Sequence, residues 1–352
     1  MGDKLKVGII GSGMIGKSHV RQYAEIAEAE VVAIADLDED EAGRVAEQFN
    51  IPNVFKDYHD LLKIEDIESV DVCLPNFLHS LVTIEVFEAG KHVFCEKPMA
   101  RNYPEAKAMM DASKKAGKEL AVQAVMIFSP NGRAAKKIID EGGLGNIYYA
   151  RISDMRRRGR PWVDGYGTQH FVSKEKAGGG ALLDVAVYNF NRMFWLLGNP
   201  APVSVSASTF QEIDVYEERK DDIDVEEMAV AFVRLENGIT LNVEYAWAAH
   251  LDKAGGDVVL GSKGGIRLDP FAFYTDLFGM EADATFDLRL AEYHQNQYDP
   301  NLKGYASPVQ HWVYGLLGRV PLIPTAEYAL STSLVSEMIY QSAAKGEEVR
   351  NV

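Results

Sequence analysis

At 352 residues the chain is longer than one compact core usually serves, and two domains are expected. Its net charge of −16, from 36 Lys and Arg against 52 Asp and Glu, argues against nucleic acid, whose phosphates need a basic surface. No apolar run reaches the roughly 18–20 residues of a membrane span, and the two cysteines are too few for a disulfide framework.

Residues 5–10, "LKVGII", form a short continuous apolar run, as a strand buried on both faces should. A helix is predicted from Ile15 to Ala27, a second strand at 31–35 and a charged helix through Gln48. The alternation continues with "SVDVCLP", a helix at 77–88, "KHVFCEKP", a helix at 103–116 and "ELAVQAV". Strands alternating with helices imply βαβ units and a parallel sheet, so residues 1–125 read as a Rossmann domain. With no n-region or h-region before the first strand, the cytosol is the expected compartment. Cys73 and Cys95 lie in apolar runs and read as buried small hydrophobes; no cysteine or histidine spacing suits a zinc site.

After a helix near 130–141 the character changes. "GNIYYARISDM" reads as a long strand, and a helix is predicted at 182–197. Longer alternating strands follow, with Asn237-Gly238 as a hairpin signal. Residues 126–352 therefore read as an α+β domain with an open, mainly antiparallel sheet and helices on one face. Residues 270–304 show no clear period and read as an irregular excursion; helices near 307–317 and 326–344 close the chain.

Gly11, Gly13 and Gly16 make a GxGxxG between the first strand and helix. Gly11 permits the tight turn, Gly13 lets the backbone approach a pyrophosphate, and Gly16 allows close helix–strand packing. The helix N-terminus offers N–H groups and partial positive charge to a diphosphate. Asp36 ends the second strand, where a carboxylate accepts bonds from ribose hydroxyls and repels a 2′-phosphate, so NAD is favoured over NADP. A helix N-cap is the other role open to it. Lys97 ends a later sheet strand, at the ligand crevice of a doubly wound fold. There it can bind a reacting hydroxyl and stabilise an alkoxide. Asp184, Tyr188 and Asn191 recur at i, i+4, i+7, a polar stripe on an otherwise apolar helix.

With "PNFLH" at 75–79, "EKPMA" at 96–100, "GGLGNI" at 142–147, "GGGALLDVAVYNFN" at 178–191 and "GSKGGI" at 261–266, the chain resembles the glucose–fructose oxidoreductase, inositol dehydrogenase and MocA (Gfo/Idh/MocA) family almost end to end. The resemblance implies oxidation of a sugar or polyol hydroxyl, or reduction of the matching ketone. It implies a homodimer or homotetramer through the open sheet. It places Met14, Ile15, Pro75, Asn76, His79 and Glu96 beside the cofactor, with Lys97. It also sets Asp184, Tyr188 and Asn191 facing Lys97. Most members carry His where this chain has Tyr188, and many carry Asp where it has Asn191.

A tyrosine of ordinary pKa, about 10, is a poor base at neutral pH, and a neighbouring ammonium would lower it. The expected pair is Lys97 with Tyr188 as proton acceptor and Asp184 orienting; Lys97 as the base itself is the alternative. Arg156, Trp162 and His170, around a glycine-rich loop, are candidate substrate contacts, with Arg157, Arg158 and Arg160 nearby. The expected activity is an NAD-dependent sugar dehydrogenase or reductase. Alternatives are a glycosidase using bound NAD for transient oxidation, an intermolecular sugar oxidoreductase with tightly held cofactor, and a dinucleotide-sensing regulator without turnover. No metal is expected.

Overall fold

The computed structural model describes residues 4–215, 217–251, 255–291 and 300–351. The chain forms two compact units. One comprises Met1–Ala100, Pro104–Val125 and Gln295–Ala326; the other comprises Arg101–Tyr103, Met126–His294 and Glu327–Val352. Residues 300–326 thus belong with the first unit, beside the segments up to Val125.

The first unit is built on a six-stranded sheet of β1 (Leu5–Ile10), β2 (Ala29–Ala35), β3 (Asn53–Phe55), β4 (Ser69–Val72), β5 (His92–Cys95) and β6 (Leu120–Val122). Its order is β3-β2-β1-β4-β5-β6 and every pairing is parallel. Helices on both faces explain why Val7, Ile9, Ile34, Val70 and Val93 are fully buried. Helix α1 (Met14–Ala24) follows β1, α2 (Glu39–Phe49) follows β2, and α4 (Asn76–Glu88) follows β4, after the short α3 (Tyr58–Leu62). The strand order reverses between β1 and β4, which puts a ligand crevice at their carboxyl ends.

The returning segment contributes helix Pro308–Leu316, whose Val309, Trp312 and Val313 join this core. The Trp312 indole donates to Ser69 Oγ at 2.9 Å. At the edge, the Val122 N–H donates to Thr325 Oγ1 at 3.0 Å.

The second unit carries a nine-stranded sheet. Its members are β7 (Ile147–Met155), β8 (Pro202–Phe210), β9 (Met228–Leu235), β10 (Thr240–Ala246), β11 (Val258–Gly261), β12 (Gly264–Arg267), β13 (Ala272–Leu277), β14 (Met280–Ala284) and β15 (Val349–Arg350). The order is β14-β13-β12-β11-β7-β10-β9-β8-β15; β7 and β10 pair in parallel and the other pairs are antiparallel. Alternate residues such as Ile152, Val233, Leu241, Val243 and Val259 face inward. After α5 (Tyr103–Ala116), α6 (Pro130–Asp140) and α7 (Lys174–Ala177) the chain forms α8 (Val187–Leu197), and these residues pack on its Phe190 and Phe194 and on Val335 and Ile339 of the long helix Thr325–Lys345.

The irregular excursion expected at 270–304 is in part a hairpin. β13 and β14 pair through Leu277 and Met280, with φ of 58° at Phe278 and 78° at Gly279. Two positive φ values are what a tight two-residue hairpin turn requires, and Phe-Gly is an uncommon way to spell it. Residues 292–299 of that segment lie outside the described residues.

Candidate active site

The turn from β1 into α1 is shaped by three glycines with three different reasons. Gly11 has φ of 101°, and a Cβ there would stand 2.3 Å from the Cys73 carbonyl oxygen. A Cβ on Gly16 would stand 1.9 Å from the Gly11 oxygen, so the helix can seat on the turn only with glycine. At Gly13 nothing lies within 4 Å, so the space above the backbone is open. Gly13 begins the helix without a side-chain cap, and no acidic residue occupies the first turn. The orphan N–H groups there suit a diphosphate. Met14 is 82% and Ile15 44% exposed, large apolar side chains flanking that opening.

Asp36 is not the helix cap. Asp38 takes that role, accepting from the Glu41 N–H at 3.0 Å. Asp36 Oδ2 accepts from the Ser12 N–H at 2.6 Å and Ser12 Oγ at 2.9 Å, and Oδ1 accepts from the Asp38 N–H at 2.9 Å. Three donors fix the carboxylate beside the glycine turn, where it can meet ribose hydroxyls. These residues fit a dinucleotide with a free 2′-hydroxyl.

Across the crevice, Pro75 caps α4 and Asn76 opens it. His79 is fully buried, with Nδ1 2.7 Å from the Pro98 oxygen and Nε2 2.7 Å from the Leu74 oxygen. Burial lowers its pKa against the pull of the two carbonyls. Its ring therefore braces the segment after Lys97 instead of presenting a nitrogen to a ligand. Lys97 is half-buried at the carboxyl end of β5, and the Lys97–Pro98 peptide is cis. Glu96 is turned inward, 8% exposed, accepting the Lys97 N–H at 2.9 Å. Cys73 departs from the small-hydrophobe reading, because its thiol meets Asp71 and His19 at 3.3 and 3.4 Å.

In the second unit, the glycine run before α8 is dictated by close approach. Cβ atoms on Gly179 and Gly180 would stand 1.9 Å from the Tyr340 hydroxyl and the Glu226 carbonyl oxygen. Buried Glu226 accepts from the Gly180 and Leu182 N–H groups at 2.9 and 3.0 Å and from the Tyr340 hydroxyl at 3.1 Å. Burial raises its pKa while these donors pull it down. A carboxylate at the helix start answers the orphan N–H groups; no sequence signal near residue 226 points to it.

The helix opens as a π-turn, Leu182–Ala186, which changes the angular spacing expected of a straight α-helix. Asp184 and Tyr188 are half-buried, and Asp184 Oδ2 accepts from the Trp247 indole at 3.0 Å. Asn191 is separated from them in environment. It is 2% exposed and accepts from Thr332 Oγ1 at 2.7 Å, so it serves packing and not a substrate surface.

The loop after β7 also divides. Arg160 is 1% exposed and buried by design: it pairs with Asp164 through both Nε and Nη2 at 3.1 Å and with Glu227 at 3.1 Å. Arg156 donates to the Tyr166 hydroxyl at 3.2 Å. Burial, then the charge of Asp184, raises the Tyr166 pKa. Tyr166 escaped the sequence reading; its signal is an aromatic between Gly165 and Gly167, both at positive φ. The side chains of Trp162 and His170 both stand by Asp222. The Trp162 indole donates to Asp222 at 2.9 Å under the Arg219 guanidinium, and His170 lines a surface cavity of about 280 Å³ with Asp222 and Asp224.

Comparison with known proteins agrees with this fold. Residues 5–138 match the family model described as an oxidoreductase family with an NAD-binding Rossmann fold, and 133–267 match the GFO/IDH/MocA C-terminal domain. The D-glucoside 3-dehydrogenase of Escherichia coli K12 is 30% identical over 355 residues, covering 98% of this chain and 97% of that protein. Levoglucosan dehydrogenase of Pseudarthrobacter phenanthrenivorans is 32% identical over 270 residues, covering 70% of this chain and 68% of that protein. A solved levoglucosan dehydrogenase in complex with NADH and levoglucosan superposes with a TM-score of 0.82 at 24% identity, covering 99% of each chain. The chain belongs to the Gfo/Idh/MocA oxidoreductase family, as a Rossmann NAD-binding domain joined to that family's C-terminal domain.

Proposed function

We propose that this protein oxidises a ring hydroxyl of a glucoside or anhydro-sugar, with NAD as the hydride acceptor. The observation that carries the reading is the place of Lys97. It is half-buried at the carboxyl end of β5, in the sheet whose β1–α1 turn forms the dinucleotide cradle. Full-length similarity to a D-glucoside 3-dehydrogenase supports the substrate class.

The Gly11–Gly16 turn and Asp36 would hold NAD, which would supply the hydride acceptor. Lys97 donates to the reacting hydroxyl and stabilises the alkoxide as its proton leaves. Tyr188 is the proposed proton acceptor, and Asp184, held by Trp247, is the group that orients. Arg156 and Tyr166 are proposed to grip other hydroxyls of the sugar. Asp36 selects NAD by excluding a 2′-phosphate.

We propose cytoplasmic action as a homodimer or homotetramer through the open face of the second unit's sheet. Phe210 and Phe232 stand 38% and 41% exposed there. Among the described residues, no helix is long and apolar enough to cross a membrane.

The test is a panel of methyl glucosides, levoglucosan, inositol and free sugars at pH 8–9, with NAD and NADP supplied separately and Lys97→Ala alongside. NADH formation on a glucoside, lost in the variant, is expected. Sugar released from a glycoside without NADH would overturn the dehydrogenase reading in favour of cofactor recycling.

A further inference from the structure

Beneath Lys97 the first unit buries a cluster of ionisable groups that the proposed chemistry does not use. His19 comes from α1, Asp71 from β4, Glu96 from the end of β5, and Gln123 from the end of β6. His19 is 1%, Asp71 0% and Glu96 8% exposed. His19 Nδ1 lies 2.8 Å from Asp71 Oδ2, and Nε2 lies 3.0 Å from Glu96 Oε1. A ring that faces a carboxylate oxygen on each nitrogen satisfies both only with two N–H groups, as imidazolium. Gln123 Nε2 stands 3.1 Å from His19 Nε2, and its buried Oε1 has no hydrogen-bond partner; turning the amide over sets that oxygen against the ring, the orientation a donating imidazolium requires.

The other groups around the ring are accounted for. Cys73 contacts Asp71 and Nδ1, and burial raises its pKa, so it is a thiol and not a thiolate. Phe94 packs with its ring centroid 5.8 Å away, and Tyr23, one helical turn on, is held neutral by burial and then by Asp71. His19, Asp71 and Cys73 are near enough to suggest a metal, but each is committed to the others by hydrogen bonds. The remaining Glu96 oxygen, Oε2, leaves the cluster and accepts the Lys97 backbone N–H at 2.9 Å.

We propose that His19 is a positioning residue for Lys97, acting through Glu96: bonded to Asp71 on one ring nitrogen and Glu96 on the other, it fixes the carboxylate that grips the Lys97 backbone. One cation between two anions also leaves the cluster with a single net negative charge within electrostatic reach of the Lys97 ammonium. Loss of that charge unsettles the group that binds the reacting hydroxyl. The inference rests on the role given to Lys97 above.

The test follows the Lys97 side chain directly, by carbon-13 NMR of reductively dimethylated lysines, with the signal identified by its absence in Lys97→Ala. Glu96→Gln removes the nearer anion and is expected to move the Lys97 titration midpoint down by about half a unit or more. His19→Gln removes the cation and is expected to move it up. The double variant restores one net negative charge and should fall between the two. Midpoints unchanged in both single variants would overturn the proposal, as would a double variant outside the range of the singles. If His19→Gln fails to fold, nitrogen-15 NMR of the His19 ring in the wild type decides: two protonated ring nitrogens at pH 7 are expected, and a neutral ring would overturn the proposal. Turnover on a methyl glucoside separates the two readings: full activity in Lys97→Ala would end the catalytic role of Lys97, whatever the NMR result.

Discussion

The Trp247 indole N–H donates to Asp184 Oδ2 at 3.0 Å, joining the residue after β10 to the π-turn that opens α8. Trp247 is wholly buried, and its backbone N–H donates to the Glu227 carbonyl at 2.8 Å, so the indole is a fixed donor. Trp247→Phe keeps much of the volume and removes the donor. It should cost about 1–3 kcal/mol of stability and lower kcat/KM by about ten-fold, the equivalent of about 1.4 kcal/mol. Thermal melts and steady-state kinetics on the same preparation would check both, and unchanged kcat/KM would remove Trp247 from the site.

The glycine turn gives a contrast between two alanine substitutions. Gly13→Ala has open space for its Cβ and should melt like wild type without cofactor, yet bind NADH about ten-fold more weakly as the methyl meets the pyrophosphate. Gly16→Ala must push its Cβ away from a backbone oxygen at 1.9 Å, and should lose roughly 2 kcal/mol or more of stability before any ligand is added. Differential scanning fluorimetry with and without NADH separates the two effects.

Asp36→Ser removes a carboxylate held by Ser12 and by the Asp38 N–H. NADH affinity should fall by about ten-fold, while NADPH binding should improve as the repulsion of its 2′-phosphate is lost. Fluorescence titration with each reduced cofactor measures the ratio; an unchanged ratio would show that Asp36 does not select.

Arg160 and Arg158 look alike in sequence and differ in the fold. Arg160→Ala leaves Asp164 and Glu227 without their buried partner and should cost about 3–5 kcal/mol. The exposed Arg158→Ala should stay within about 0.5 kcal/mol of wild type. Urea denaturation of the two variants measures the difference.

His19 makes stability depend on pH. Burial lowers its pKa, but the charge and hydrogen bond of Asp71 pull the other way and hold it well above the ordinary 6.5. A cation stabilised by folding contributes fully below about 6.5, and that contribution is lost as pH rises through the raised value. Wild type should therefore lose more thermal stability between pH 7 and pH 10 than His19→Gln does. Parallel slopes in the two proteins would show that His19 does not carry the proton.

What the chain by itself determined is local. The apolar run of β1, the glycines of the turn, the acidic residue ending β2 and the lysine ending β5 each follow from backbone sterics or from the two-residue and 3.6-residue periods. The alternation of strands and helices carried the Rossmann topology, and longer alternating runs carried the second sheet. What only the tertiary structure decided is which distant groups share a hydrogen bond. His19 and Asp71 lie 52 positions apart, and Asp184 and Trp247 lie 63 apart. Nothing in either neighbourhood names the partner. The same holds for Glu226 under the glycine run and for the helix Pro308–Leu316 in the first unit's core. Asn191 shows the reverse case: a polar stripe spaced for one helix face is split once a π-turn alters the angle and Thr332 satisfies one member. Burial makes these pairings strict, because a polar group taken from water must find its partner in whatever strand or helix the fold sets beside it.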